Sequence, residues 1–166
     1  YREVGQEYLQ NVLDTAKQLD AYDSGRIYYY LGEYQKAYLA LDETRDKGGA
    51  DSYLYLGRAY AATGDYNYAS SVYNNYLSKQ GPNAEIYNEL GLCEMAKKEY
   101  QNALAAFQAG KQIEGNSLMQ TLCFNEIVAY EYLEDYQQAE VLMNAYLQNY
   151  PDDQTAIREQ QFLSTR

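Results

Sequence analysis

The chain has 166 residues, a formal net charge of −11 and a mean hydropathy of −0.66. Because only 13 basic residues stand against 24 acidic ones, nucleic acid and anionic membrane surfaces are poor partners. No apolar run approaches the ~18 residues of a membrane span, and the absence of histidine removes the usual general base and the commonest metal ligand.

The first segment, residues 1–20, predicts one N-terminal helix over residues 2–20. Its apolar residues recur at near-helical spacing: Val4, Tyr8, Val12, Ala16 and Leu19. We interpret this segment as a capping helix or a degenerate half-repeat. The chain begins at Tyr1 and not at Met, so we expect a missing upstream segment. The sequence therefore leaves two locations open. The protein is either cytoplasmic or, after removal of an upstream signal, an extracytoplasmic bacterial protein that is secreted or lipid-anchored.

The clearest pattern lies in residues 50–82. An aromatic-x2-Leu-Gly-x2-Tyr spacing leads into a Gly-Asp-Tyr turn, and small and aromatic residues follow at fixed offsets. The residues concerned are Tyr53, Leu56, Gly57, Tyr60, Gly64, Asp65, Tyr66, Ala69 and Tyr73. The first part falls on one helix face, the Gly-Asp pair breaks that helix, and a second helix follows. Gly57 and Ala69 are small enough to let the two helices approach closely.

Three further copies of this pattern surround it, at residues 21–49, 83–115 and 116–151. Residues 22–31 and 34–46 predict the helices of the first. The last copy is degenerate, because Cys123, Glu126 and Ile127 occupy its aromatic, Leu and Gly positions. Residues 152–166 then contain a C-terminal helix over 153–164. Its narrow apolar stripe is typical of a terminal cap.

These repeats resemble the tetratricopeptide repeat family, whose unit is a helix–turn–helix of roughly 34 residues. The resemblance covers residues 21–151. It implies an all-α fold, a right-handed α-solenoid of stacked antiparallel hairpins, in a single domain over 1–166 with capping helices at both ends. In such a solenoid the first helices of the repeats line a concave groove.

Catalytic chemistry has no visible carrier in the sequence. No P-loop, Cys-x-x-Cys or nucleophile-elbow motif is present, and the pairs Glu134-Asp135 and Asp152-Asp153 stand where helices begin, so capping explains them. We expect no enzyme activity, no cofactor and no metal. Cys93 and Cys123 fall on neighbouring first helices and are either buried small residues or a reactive pair.

The resemblance turns a mixed aromatic, basic and amide surface toward the groove. Its candidate residues are Tyr22, Arg26, Tyr29, Tyr55, Arg58, Asn88, Leu92, Phe124, Asn125 and Val128. Arg26 and Arg58 each follow the small glycine of their repeat, so we expect them on neighbouring rungs of one surface. They either bind an acidic group of a partner or are solvated and paired with Asp23 or Glu33.

The predicted function is therefore a non-catalytic interaction module that presents its groove to a peptide or protein. The alternative is a structural scaffold, self-associating as a homo-oligomer, with no free-peptide ligand. Some family members clamp chaperone C-termini with Lys and Asn. The matching positions here include Glu85 and Glu89, which would repel a carboxylate, so we do not expect that ligand.

Overall fold

The computed structural model describes residues 2–16 and 18–166, and within them every regular element is a helix. The helices are α1 Arg2–Thr15, α2 Ala21–Leu31, α3 Tyr34–Thr44, α4 Gly49–Ala62, α5 Tyr66–Gln80, α6 Ala84–Ala96, α7 Tyr100–Lys111, α8 Met119–Tyr132, α9 Tyr136–Asn149 and α10 Gln154–Leu163. They form two compact units, one ending at Gly81 and the other beginning at Pro82. No described helix has the length and apolar character needed to span a bilayer.

Three hairpins close on a glycine of their first helix. A Cβ atom added to Gly57 would lie 2.3 Å from Cζ of Tyr73, and one added to Gly91 would lie 2.3 Å from Cε1 of Phe107. At Gly25 the nearest atom would be Cγ of Leu41, at 2.5 Å. The large side chain always follows its glycine at the same offset along the chain. These glycines therefore make room for a large side chain of the second helix.

The fourth hairpin, α8–α9, solves the same packing problem differently. Its glycine position carries Ile127, and the residue at the matching offset on α9 is Met143. Both are buried in one apolar cluster, with Ile127 1% exposed. An unbranched, flexible thioether fills irregular space where a ring would clash. Compared with the other hairpins, the fourth has a larger side chain on its first helix and a narrower one on its second.

The turns inside the hairpins share one left-handed residue. It is glycine in the first two, where Gly32 has φ 80° and Gly64 has φ 87°. In the last two it is Lys98, with φ 64°, and Glu134, with φ 61°. The next residue is the N-cap of the second helix. In α5, for example, the Asp65 carboxylate accepts the amide of Tyr68 at 3.0 Å. The same backbone turn is thus made by two chemically different sequences.

The N-terminal helix is shorter than the prediction over residues 2–20. It ends at Thr15, and Asp20 instead adopts an extended conformation and caps α2 by accepting the amide of Asp23 at 2.8 Å. A capping side chain of this kind marks a new helix start, so one helix cannot continue through it. Val4 and Tyr8, predicted to lie on a packed stripe, are 69% and 68% exposed. Tyr1 and Lys17 of the same segment lie outside the described residues.

The C-terminal helix occupies nearly the predicted range. The Asp153 carboxylate caps it by accepting the amides of Thr155 and Ala156, at 3.0 and 3.1 Å. The buried residues Ala156 and Leu163 join the apolar cluster of α8 and α9. The hydroxyl of Tyr146 donates to Asp153 at 2.6 Å, which ties the start of α10 to α9. This helix therefore covers the apolar face of the last hairpin.

Candidate partner-binding site

Arg26 on α2 lies near two aromatic rings, one from α2 and one from α4. Its guanidinium carbon is 5.3 Å from the ring centroid of Tyr22 and 5.2 Å from that of Tyr55. Rings at these distances hold a guanidinium by cation–π attraction and restrict its rotamers. The side chain stays 40% exposed, and its ion pair with Asp23 is long, at 3.9 Å. Arg26 is thus oriented by the rings more than by the carboxylate.

Arg58 reaches the same ring from α4. Its guanidinium carbon is 5.9 Å from the Tyr55 centroid, so one ring contacts both arginines. Tyr29 packs edge-on against Tyr55 at 5.5 Å. The five residues predicted for this part of the groove are therefore brought together in one place. Their role in binding stays a prediction.

Two further residues complete the surface. The hydroxyls of Tyr30 and Tyr55 are hydrogen-bonded at 2.7 Å, and the hydroxyl of Tyr22 donates to Asp51 at 3.4 Å. Sequence reasoning placed Tyr30 on a first helix without assigning it to the site, and it missed Asp51. We call the surface formed by these seven residues the α2–α4 surface: Tyr22, Arg26, Tyr29, Tyr30, Asp51, Tyr55 and Arg58.

The phenols and arginines of this surface adjust each other's ionisation. The hydrogen bond with Tyr55, together with burial, raises the pKa of Tyr30. Burial and the Asp51 carboxylate raise the pKa of Tyr22 despite the nearby guanidinium. Burial opposes the charge on Arg26, but the Tyr55 hydrogen bond and surrounding phenols outweigh it and raise its pKa. The raised pKa values of Tyr22 and Tyr30 keep these two phenols neutral near neutral pH, and that of Arg26 keeps its guanidinium charged.

The other predicted site residues lie on α6 and α8. Asn88 is only 7% exposed, and its side-chain oxygen accepts the Asn125 amide at 2.9 Å. The two first helices approach closely enough there to pair these amides, so Asn125 is the more accessible of the two. Leu92 is exposed, and Val128 is half-buried.

Phe124 and Asn125 line a small pocket near the start of α10. Its volume is about 300 Å³, and Phe124 packs edge-on against Tyr146 at 5.7 Å. The remaining lining residues are polar or aromatic: Gln120, Thr121, Tyr146, Asp153 and Thr155. Five of the ten predicted residues thus lie in the first compact unit and five in the second.

Buried acids replace apolar residues at two repeat positions. Glu126 forms an ion pair with Lys111 and accepts the Gln108 amide at 2.9 Å, while Glu94 is paired with Lys97 at 2.7 Å. A buried carboxylate needs such partners to offset its desolvation. These pairs explain how two pattern departures are tolerated.

The two cysteines are free thiols. Cys93 is buried, and burial raises its pKa to about 12. Cys123 is half-buried beside Lys111, and burial raises its pKa as well. Across residues 2–16 and 18–166, no group of three His, Cys, Asp or Glu side chains is arranged to hold a metal ion.

Paired helices closed by small residues, with an aromatic and basic surface on the first helices, define a helical-repeat protein. Family models described as "Tetratricopeptide repeat" match residues 22–74, 56–116 and 124–153. The chain therefore belongs to the tetratricopeptide repeat family. The family assignment supports a role in protein–protein interaction or as a scaffold, and its repeats are generally non-catalytic. No curated protein sequence matches the chain.

Solved structures share the solenoid fold. MamA AMB-1 is 21% identical with a TM-score of 0.69, over 97% of this chain and 81% of that one. TTC0263, a thermophilic TPR protein of Thermus thermophilus, is 16% identical with a TM-score of 0.74, over 99% and 91%. The second TPR domain of human RPAP3, in complex with the HSP70 peptide SGPTIEEVD, is 16% identical with a TM-score of 0.59, over 66% and 90%. At these identities the likeness shows the fold alone.

Proposed function

We propose that this protein is a non-catalytic interaction module whose α2–α4 surface binds an acidic group of an extended peptide or protein segment. The observation that carries the proposal is the contact of both Arg26 and Arg58 with the single ring of Tyr55. Two guanidinium groups held together in a chain of net charge −11 form a local basic site against an acidic background.

The Arg26 side chain remains accessible to an anion, since it is 40% exposed. Its guanidinium lies within cation–π distance of two rings, and a planar guanidinium pairs with a carboxylate bidentately. Because the rings already restrict the side chain, less rotamer entropy is lost on binding. A charge-assisted hydrogen bond of this kind contributes about 1.5–3 kcal/mol.

One structural neighbour supports the class of ligand. The RPAP3 domain is in complex with a peptide that ends in acidic residues, SGPTIEEVD. In this chain Glu85 and Glu89 on α6 disfavour an acidic ligand there, since like charges repel. We therefore place the acidic group on the α2–α4 surface.

The test is a peptide array of acidic and neutral decamers, each synthesised with a free and with an amidated C-terminus. We expect acidic peptides to bind, and the double variant Arg26→Gln, Arg58→Gln to lose about tenfold or more in affinity. Arg158→Gln, an exposed arginine on α10, is the matched control and should bind like the parent. Equal binding of neutral peptides, or equal affinity in the double variant, would contradict the proposal.

A self-associating scaffold is the second candidate function. Val4 and Tyr8 favour it, because both stand more than two-thirds exposed on α1 and offer apolar area to another copy. Light scattering of the parent and of Val4→Ser, Tyr8→Ser would show a concentration-dependent oligomer that the variant loses. A monomeric parent at all concentrations would exclude this role.

A further inference from the structure

A cleft unlike the α2–α4 surface lies where α8 ends, α9 begins and α10 crosses them. Its volume is about 430 Å³, and three carboxylates and three aromatic rings line it. The lining residues are Glu131, Tyr132, Glu134, Tyr136, Glu159 and Phe162. Phe162 and Tyr132 are partly exposed, so the cleft is open to solvent. We call it the acidic–aromatic cleft.

Two of its carboxyl groups, those of Glu131 and Glu159, lie close enough to affect each other's ionisation. Burial and the neighbouring Glu159 carboxyl on α10 raise the pKa of Glu131 on α8. Oε1 of Glu131 is buried and has no hydrogen-bond partner in the described structure. Like charges held together in a partly desolvated place oppose each other's ionisation. A positive group from outside would satisfy the unpartnered oxygen and remove the repulsion.

The rings of the cleft already carry a guanidinium. The guanidinium carbon of Arg166 lies 4.3 Å from the ring centroid of Phe162 and 5.7 Å from that of Tyr136. These are cation–π distances. The chain's own arginine therefore shows which kind of cation these rings accept.

We propose that the acidic–aromatic cleft binds the guanidinium of an arginine side chain from a partner polypeptide. The planar guanidinium forms bidentate hydrogen bonds with the Glu131 and Glu159 carboxylates while it stacks on a ring, which an ammonium does less well. Free arginine fits poorly, because its own α-carboxylate would meet three acidic side chains. The inference is independent of the proposed function, since it concerns other residues and the opposite charge.

The probe is N-acetyl-arginine amide, added to the full chain and followed through its amide NMR shifts. We expect saturable shifts at the end of α8, the start of α9 and α10. N-acetyl-citrulline amide has the same shape without the charge and should give almost none. N-acetyl-lysine amide and free arginine should bind more weakly. Equal responses to the arginine and citrulline probes, or shifts confined to other helices, would overturn the proposal.

Paired variants locate the site. The double variant Glu131→Gln, Glu159→Gln should weaken binding of the arginine probe by about tenfold or more, because both carboxylates that pair with the guanidinium lose their charge. Glu114→Gln, an exposed acid outside the cleft, should bind like the parent. The cleft variant relieves like-charge repulsion, so misfolding does not explain a loss of binding. Unchanged affinity in that variant would overturn the proposal.

A third variant tests the role of Arg166. Arg166→Ala removes the guanidinium that already lies over Tyr136 and Phe162. The probe then has no internal competitor, and its affinity should rise. Weaker or unchanged binding would contradict the placement of the guanidinium on these rings.

Binding should also depend on pH. Burial and the adjacent Glu159 raise the pKa of Glu131 to about 7, so its carboxyl is more often ionised at pH 8 than at pH 6. The other charged or phenolic groups facing it are Glu134, Glu159, Tyr132, Tyr136 and Arg166. The probe should therefore bind more tightly at pH 8, and in Glu131→Gln this dependence should vanish. A parent affinity that is equal or weaker at pH 8 would contradict the cleft's assignment.

Discussion

Lys98 and Glu134 hold backbone angles that glycine adopts more easily. At both turns the next residue bonds back to the first helix, from the amide of Glu99 to the carbonyl of Glu94 at 2.9 Å and from that of Asp135 to Tyr130 at 3.0 Å. These bonds fix the turn whichever side chain is present. A non-glycine residue in the left-handed region is strained by about 1–2 kcal/mol, and the hairpin tolerates this.

Replacing such a residue with glycine should stabilise the protein. We expect Lys98→Gly to raise the free energy of unfolding by about 0.5–1 kcal/mol, because relief of strain exceeds the extra unfolded-state entropy. Urea melts measure the change. Gln101→Gly, at an exposed position inside α7, is the control and should instead cost about 1 kcal/mol. A destabilising effect at both positions would argue against a strained turn.

The Glu131–Glu159 pair should make stability depend on pH. A carboxyl whose folded pKa is raised to about 7 holds its proton more tightly in the folded state, so stability is lost as pH rises from about 4.5 through 7. We expect Glu131→Gln to stabilise the protein at pH 8 by about 1 kcal/mol, a value reduced for partial exposure, and to change little at pH 4.5. Denaturant melts at pH 4.5 and pH 8 test the expected difference in stability, with Glu114→Gln as the control. A constant difference would exclude Glu131 as the titrating group.

Single residues were predictable where the pattern repeats and unpredictable where it fails. Arg26 and Arg58 could be grouped because both follow a repeat glycine. Asp51 and Glu131 could not be assigned, since their neighbours come from other helices and no local spacing marks those contacts. Asn88 was expected on the groove, but its burial depends on how closely α6 and α8 approach.

At the scale of helices, close pairing depends on residues too small to clash. Tyr73 is fully buried, and atoms of its ring already occupy the place of a Gly57 side chain. Ala69, also fully buried, leaves similar space on the second helix. Gly25 and Gly91 of two other hairpins behave alike, whereas the fourth hairpin carries Ile127 at this position. Close pairing of the two helices therefore restricts the size of the side chain that Gly57 and Ala69 can be replaced with.

Larger residues there should overpack the α4–α5 hairpin. We expect Gly57→Leu and Ala69→Leu each to cost about 1–3 kcal/mol of unfolding free energy, measured by denaturant melts. Gly5→Ala is the control, because no atom lies within 4 Å of the added carbon on α1, and it should be neutral or stabilising. Unchanged midpoints for both leucine variants would refute this hairpin geometry.

The Ile127 and Met143 pair of the fourth hairpin also suggests a second substitution that should restore part of the stability lost by an overpacked hairpin. Gly91→Ile should destabilise the α6–α7 hairpin because Phe107 fills the space, whereas Gly91→Ile with Phe107→Met reproduces the Ile127 and Met143 pair. The double variant should therefore recover part of the loss, a coupling of about 0.5–3 kcal/mol between touching residues. Additive effects of the two changes would mean that the two hairpins pack by different rules.

Helix positions followed closely from the sequence, except at the N-terminus. The Gly32-Glu33-Tyr34 and Gly64-Asp65-Tyr66 turns predicted the starts of α3 and α5, because each turn residue has a definite backbone role. The predicted helix over 34–46 ends at Thr44, and α1 ends at Thr15, since a continuous apolar spacing does not reveal the cap at Asp20.

At the scale of the whole molecule, stacking leaves each terminal hairpin with a face to cover. Ala156 and Leu163 of α10 cover that of α9 and pack in one cluster with Met143 and Tyr146. A solenoid needs such a cap for solubility. The helix was predictable from the N-cap signal and apolar stripe, whereas the hydrogen bond from Tyr146 to Asp153 was not, and the role of residues 153–164 as a cap stays a prediction.

Deleting residues 153–166 should open this face. The truncated chain loses the α10 contacts and the Asp153 acceptor, so its melting temperature should fall. It should also self-associate through the exposed apolar surface, as light scattering would show. Removing residues 2–8, whose Val4 and Tyr8 are mostly exposed, is the comparison and should cost less stability. If the truncated chain stays monomeric and melts at the parental temperature, the segment does not contribute to stability or cover an apolar face.

The exchange of bulk between Ile127 and Met143 limits how such a chain can recombine. Replacing α6 with α8 in a chimera would bring the Phe107 ring of α7 against Ile127, where no room exists, whereas transferring α8 together with α9 keeps both partners. Compatible crossover points therefore fall in the connections between hairpins, and crossovers at the tight turns within them give clashing hybrids. Inheritance of this fold by gene fusion or duplication would proceed two helices at a time.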